Sequence, residues 1–215
     1  MSHCPKCGIR LPEDEDARFC PNCGAPISRI IKSREAEIYW TGSLKSRVLV
    51  FLVVFILCIG ITLIGALTRI ERSEANEIMQ EMSKLEDVIK SSDAQIILAI
   101  IFGNNLLHTL IMFIPIAGPC WGTYVLYNTG KVFAAYSIIS DAGPVTLFST
   151  VFILPFAWME YLSYTLAISE SLWMIYAAIK RNFRNEIIVA TVTIVLCNVI
   201  LLLAALVEVA LTLSF

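Results

Sequence analysis

From Val48 to Leu67 the chain runs for about twenty residues without a charged side chain, and no other feature restricts its fold as much. A helix of that length spans the roughly 30 Å hydrocarbon core of a bilayer while satisfying every backbone N–H and C=O within the segment. Hydrophobic residues make up 57% of the sequence and charged residues 16%, a balance far from that of a soluble domain. Further apolar runs cover about Gln95 to Ala117, Pro119 to Ile139, 145–179 and Ile187 to Leu213. The expected fold class is an all-α polytopic membrane protein of about five spans, with four or six also allowed by the broken segments, and a helical membrane domain over 48–215. Two runs point to broken or re-entrant helices. Asn128-Thr129-Gly130-Lys131 interrupts the third, and Pro155 divides 145–179 into a half-helix at 145–154 and a full helix at 156–179.

Charge placement sets the expected topology. Arg29, Lys32, Arg34, Lys45 and Arg47 precede the first run, against Glu35 and Glu37, while residues 69–93 hold four basic and seven acidic side chains. The positive-inside rule puts the N-terminal side in the cytoplasm. Lys180, Arg181 and Arg184 mark a second cytoplasmic end, and an odd number of crossings leaves the C-terminus external. No cleavable secretory signal is expected, because the first apolar run begins only near Val48. Within 69–93, Ile78, Met82, Leu85 and Ile89 are spaced four, three and four apart, the stripe of an external amphipathic helix packed on the protein's own membrane domain. In the cytoplasmic juxtamembrane linker, 28–47, Ile30, Ile31 and Ile38 can form an amphipathic segment with Tyr39 and Trp40 at the interface.

The N-terminal segment, residues 1–27, has a different character. It carries two Cys-Pro-x-Cys-Gly knuckles, Cys4-Pro5-Lys6-Cys7-Gly8 and Cys20-Pro21-Asn22-Cys23-Gly24, with twelve residues between them. That spacing lets one hairpin set four thiolates around a tetrahedral ion, and structural Zn2+ is the expected cofactor. The pattern resembles the short zinc-ribbon modules found at protein termini. Two disulfides or an iron site are the competing readings, and disulfides would need an oxidising compartment. Ile9, Leu11, Phe19 and Ile27 are almost the only large apolar side chains, so the metal must supply the folding energy, on the order of 10 kcal/mol. Four protein ligands leave no open coordination position for hydrolysis. Glu13-Asp14-Glu15-Asp16 between the knuckles would repel phosphate, which makes nucleic acid an unfavoured partner.

A candidate polar site lies within the apolar runs. Asn104 and His108 are four apart and share a helix face with Asn105 beside it; that face is expected to turn into the bundle. Asn128 and Glu160 complete the candidate set, with Tyr164 four residues after Glu160 and able to donate to its carboxylate. Helix–helix ties are the favoured reading for the asparagines, and proton or ion coupling the competing one for Glu160. Lys131 has Asp141, Glu160 and Glu170 as possible partners. His108 lacks a companion histidine for a metal site, and Cys58, Cys120 and Cys197 read as small apolar side chains.

The membrane part resembles the stage II sporulation protein M family of multi-pass membrane proteins. The resemblance rests on Phe102-Gly103-Asn104-Asn105, on Gly118, Gly122 and Asn128-Thr129-Gly130, and on Pro155 five residues before Glu160. It covers roughly residues 48–213. The chain departs from the family where an Asn-Gly becomes Asn-Thr-Gly and where Pro-His-Gly-x-x-Glu becomes Pro155-Phe156-Ala157-Trp158-Met159-Glu160, without the histidine. The resemblance implies an envelope or complex-forming protein with no established reaction; sporulation itself does not carry over.

Expected function follows from both parts. The first reading is a non-enzymatic membrane scaffold or accessory subunit whose ribbon docks a cytoplasmic protein, with the bilayer, protein partners or a homo-oligomer as its associations. The alternative is a transporter or channel component using the buried polar residues. An intramembrane enzyme is disfavoured, since Gly-x-Ser-x-Gly, paired membrane aspartates and His-Glu-x-x-His are all missing.

Overall fold

The computed structural model describes residues 3–4, 6–10, 19–25, 42–140 and 142–213, in two units, 1–39 and 40–215. The acidic loop at 13–16, the segment 30–40 and Asp141 lie outside the described residues. In the first unit each knuckle is a tight turn. Gly8 N–H donates to the Cys4 carbonyl and Gly24 N–H to that of Cys20, both at 2.9 Å. Both glycines have φ near +70° (71° and 67°), the left-handed region that a Cβ opposes.

The second unit contains seven helices among the described residues: α1 (Leu44–Ala66), α2 (Arg72–Ser91), α3 (Ala94–Met112), α4 (Ala117–Ser140), α5 (Pro144–Val151), α6 (Pro155–Ile179) and α7 (Phe183–Thr212). Four of them, α1, α3, α6 and α7, are long and apolar enough to cross a membrane. The 24-residue α4 carries Asn128, Thr129 and Lys131 and is not one of those four. Local signals start the helices where the sequence places them. Ser43 caps α1 by accepting from Ser46 N–H at 3.2 Å, and Pro144 and Pro155 open α5 and α6, where a missing N–H costs nothing.

The expected break at Asn128–Lys131 is not there. α4 runs through it without interruption, because its polar side chains find local partners: Asn128 donates to the Tyr124 carbonyl at 2.7 Å and Thr129 to that of Val125 at 3.0 Å. Gly130 serves close packing instead of a break. A Cβ there would sit 2.1 Å from the Thr62 carbonyl oxygen, and one at Gly65 would sit 2.2 Å from that of Tyr127, so α1 and α4 cross backbone to backbone. The chain reverses at 113–116, where Ile116 has φ 69°, and bends at 152–154 beside Pro155, close to the break expected there.

Contacts order the ends of the bundle. Ser171 Oγ donates to the Ile114 carbonyl at 3.0 Å and Gly42 lies against the Trp173 ring, which gathers the start of α1, the α3–α4 turn and the end of α6 at one end. At the other, Thr68 meets the Tyr127 hydroxyl at 3.2 Å and Lys131 pairs with Glu74; among the described residues neither Glu160 nor Glu170 is its partner, and Asp141 lies outside them. α2 packs along α4 through the buried Ala75 and half-buried Ile78 and Met82, whereas Leu85 and Val88 are 41% and 47% exposed. Of the stripe Ile78, Met82, Leu85 and Ile89, only Leu85 is exposed; Ile89 is half-buried. Cys58 and Cys197 are core residues as expected, while Cys120 lies on the exterior.

Candidate functional site

In the first unit the four cysteine sulfurs lie within 4.8 Å of one another. Cys4 Sγ is 3.7 Å from Cys23 Sγ, and Cys7 Sγ is 3.6 Å from Cys20 Sγ. A tetrahedron with Zn–S bonds of about 2.3 Å has edges of about 3.8 Å, so these sulfurs already stand at the spacing that zinc requires, and no disulfide joins them. The local fold prepares the thiolates. The Lys6 and Cys7 amides point at Cys4 and lower its pKa, and the Ile9 amide brings Cys7 down to about 6. For Cys23 the Ala25 amide pulls downward, but burial and the other three sulfurs prevail and push it up to about 12. Four thiolates this close cannot all ionise without a cation among them, which fits the donor set to a structural metal, zinc by ligand type.

The helical body brings two of the four candidate polar residues together. Asn105 on α3 donates to Glu160 on α6, and Tyr164 donates to Asn105 Oδ1 at 3.0 Å. Tyr164 therefore reaches Glu160 through the carboxamide and not directly. Glu208 on α7 lies close enough to act on Glu160 electrostatically, and among the described residues no basic side chain forms an ion pair with either acid.

Asn104 and Asn128 stand apart from this cluster. Asn128 is bonded back to its own helix. Asn104 is exposed on the outside of the bundle, and among the described residues its one hydrogen bond to another side chain is a 3.4 Å contact to Asn105. The expectation that the Asn104 face turns inward is corrected: successive residues are about 100° apart around a helix, and it is Asn105 that faces α6. His108 accepts from Trp121 Nε1–H at 3.2 Å on Nδ1, which occupies it as a partner of an indole.

A third cluster was not assembled by sequence reasoning. Arg47, buried at 9% exposure, lies between Glu170 and Glu186, which are 4% and 0% exposed. Its guanidinium meets Glu170 Oε2 at 3.1 Å and pairs also with Glu186, and it stacks over the Trp173 ring 4.9 Å from the centroid. The sequence held a signal for it. Arg47 opens α1, Glu170 comes late in α6 and Glu186 early in α7, so antiparallel threading brings all three to one depth.

Residues 3–27 match the family model of the zinc-ribbon domain, in accord with the sulfur geometry. Comparison of the chain with curated proteins and with solved structures gives no match. The ribbon is the part of this chain that both geometry and comparison identify.

Proposed function

We propose that this protein is a non-enzymatic multi-pass membrane scaffold or accessory subunit, with its zinc ribbon as a cytoplasmic docking module. The observation that carries the reading is the closed set of four sulfurs within 4.8 Å, which offers no open ligand position for chemistry and leaves a small metal-held surface for protein contact. It is joined to a body whose exterior is apolar, with Leu49, Ile56, Val192 and Val199 all about half exposed or more, as suits lipid. α4 is proposed as the fifth crossing, its 24 residues being long enough and its Gly130 set against α1. Lys45, Lys180 and Arg184 belong to the helix ends gathered with the α3–α4 turn, and the acidic α2 lies at the far end. That distribution supports a cytoplasmic N-terminus and an external C-terminus.

The test is purification from the native host in mild detergent, followed by mass spectrometry of bound proteins. Cys4→Ser with Cys7→Ser is expected to release a protein that stays with the unaltered chain; a chain that purifies alone and homogeneous in both forms overturns the reading. A transport function is the second reading, favoured by two acids within the bundle, Glu160 and Glu208, near enough to act on each other electrostatically and without an ion-pair partner among the described residues. Glu160→Gln keeps an acceptor for Asn105, so loss of an ion flux in proteoliposomes with assembly intact would move the conclusion to transport.

A further inference from the structure

Among the described residues, part of the outer face of α3 is left uncovered within one copy of the chain. Ala99, Gly103 and Leu107 follow one another at four-residue intervals along a single ridge, all exposed, with Leu107 at 57%. Asn104 stands beside that ridge, also exposed. A Cβ added at Gly103 would meet nothing within 4 Å, in contrast to Gly65, Gly118, Gly122 and Gly130, where an added Cβ would clash with a neighbour. Gly103 is therefore a helix-weakening residue without an intramolecular reason. Asn104 presents the same puzzle in polar terms. It lies near the middle of a 19-residue apolar helix, and although it is exposed, its hydrogen bond to a side chain among the described residues is the 3.4 Å contact of one of its two N–H groups with Asn105. Toward hydrocarbon, such a group costs free energy until it finds a partner.

We infer that this ridge is the contact face of a homodimer, in which α3 of one copy packs on α3 of a second copy with Gly103 at the crossing and the two Asn104 carboxamides hydrogen-bonded to each other. The choice of a second copy comes from depth and chemistry together. Copies inserted by the same topology run their α3 helices parallel, so each necessarily presents a carboxamide at the depth where the other needs one. A carboxamide is both donor and acceptor and is complementary to itself across a two-fold axis. Ala99 and Gly103 give the small-xxx-small spacing that lets two backbones approach, with ridges of four-residue spacing interlocking. Asn105, on the other side of the helix, keeps its bonds to Glu160 and Tyr164 within each copy. The inference rests on the membrane-scaffold reading and adds a partner surface to it.

The experiment uses the full chain in lipid bilayers, with the copies per particle counted by single-molecule photobleaching over a range of protein-to-lipid ratios. The unaltered chain is expected to be dimeric at densities where Asn104→Leu and Gly103→Ile are each at least tenfold weaker in self-association, with helicity and bound zinc unchanged. Disulfide trapping gives a second readout. Leu107→Cys is expected to cross-link to itself under mild oxidation, and Leu203→Cys, exposed at 49% on α7, is expected not to. A monomer at every density overturns the inference, and so does a dimer that is indifferent to both substitutions or trapped through Leu203→Cys. Loss of a different co-purifying protein with Asn104→Leu, without change in self-association, also overturns it by assigning the face to a heterologous helix. A monomer that still retains its ribbon-bound partner leaves the scaffold reading standing, so the two conclusions fail separately.

Discussion

Gly130→Ala tests the backbone crossing of α1 and α4 with a single methyl group. The new Cβ would lie 2.1 Å from the Thr62 carbonyl oxygen, 2.7 Å from Ala66 N and 2.8 Å from Gly65 Cα. All three are backbone atoms of α1, so no rotamer change relieves the clash. Ordinary contact begins near 3.4 Å, and the helices must part locally by more than an ångström. Such a movement also draws Lys131 from Glu74 and loosens packing at Thr62, whose hydroxyl bonds Tyr161 at 2.6 Å. Overpacking of this kind costs about 1–3 kcal/mol. The assay is reversible SDS unfolding in bicelles, followed by tryptophan fluorescence. Gly65→Ala is expected to cost a similar amount, because its Cβ meets the Tyr127 carbonyl oxygen at 2.2 Å. The double variant is expected to cost less than the sum, since the parting that admits one methyl also admits the other. Gly60→Ala, where a Cβ meets nothing within 4 Å, is expected to cost nothing and to gain up to about 1 kcal/mol from helix propensity. Gly130→Ala behaving like Gly60→Ala, or strict additivity of Gly65→Ala and Gly130→Ala, would refute the backbone crossing.

Arg47→Met is expected to destabilise by about 3–5 kcal/mol, since it leaves Glu170 and Glu186 buried without their cation. Adding Glu170→Gln and Glu186→Gln to it is expected to recover most of that loss in the same unfolding assay; no recovery would mean that Arg47 acts through packing on Trp173 alone. Glu160→Ala strands the Asn105 donor and is expected to cost about 1–3 kcal/mol, with Glu160→Gln nearly neutral. Equal losses for the two would remove the hydrogen bond from the account. The ribbon is expected to carry one zinc per chain by atomic absorption, and Cys4→Ser or Cys23→Ser to lose it. Because each ligand binds as a thiolate, protons compete with the metal. The ion is retained at pH 7 and released as the pH falls, so retention down to pH 3 would contradict four-thiolate ligation.

The sequence made some of this legible because the physics was local. The knuckles were readable because Cys-Pro-x-Cys-Gly encodes its turn in five consecutive residues, and the left-handed φ of Gly8 and Gly24 follows from the turn itself. Pro155 was a sound signal for a break, since a missing N–H and a ring clash act on their own helix. Asn128-Thr129-Gly130-Lys131 misled because composition alone does not separate a broken helix from a crossing point. Asn128 and Thr129 bond back within α4, and the α1 backbone against Gly130 and Glu74 pairing with Lys131 make the segment a crossing point, the last two being set by tertiary neighbours. The same limit applies to Asn104 and Asn105. Periodicity placed them on adjacent faces, but which face met α6 depended on the rotation of α3 in the bundle.

The joint between α5 and α6 carries its own fastening. Trp158 Nε1–H donates to the Phe152 carbonyl at 2.7 Å, taking up a backbone acceptor that the end of α5 leaves open. The Phe152 ring is then held edge-on by Trp158 and Tyr161, at centroid distances of 5.5 and 4.9 Å. An interrupted helix is commonly where a membrane protein keeps a spare degree of freedom, and here that freedom has been withdrawn: the indole spans the gap, and the aromatic stack fixes the angle. Residues 144–179 thus behave as one bent rod. A displacement imposed at Glu160 is therefore expected to tilt that rod as a unit against α1 and α7 and not to swing it about Pro155.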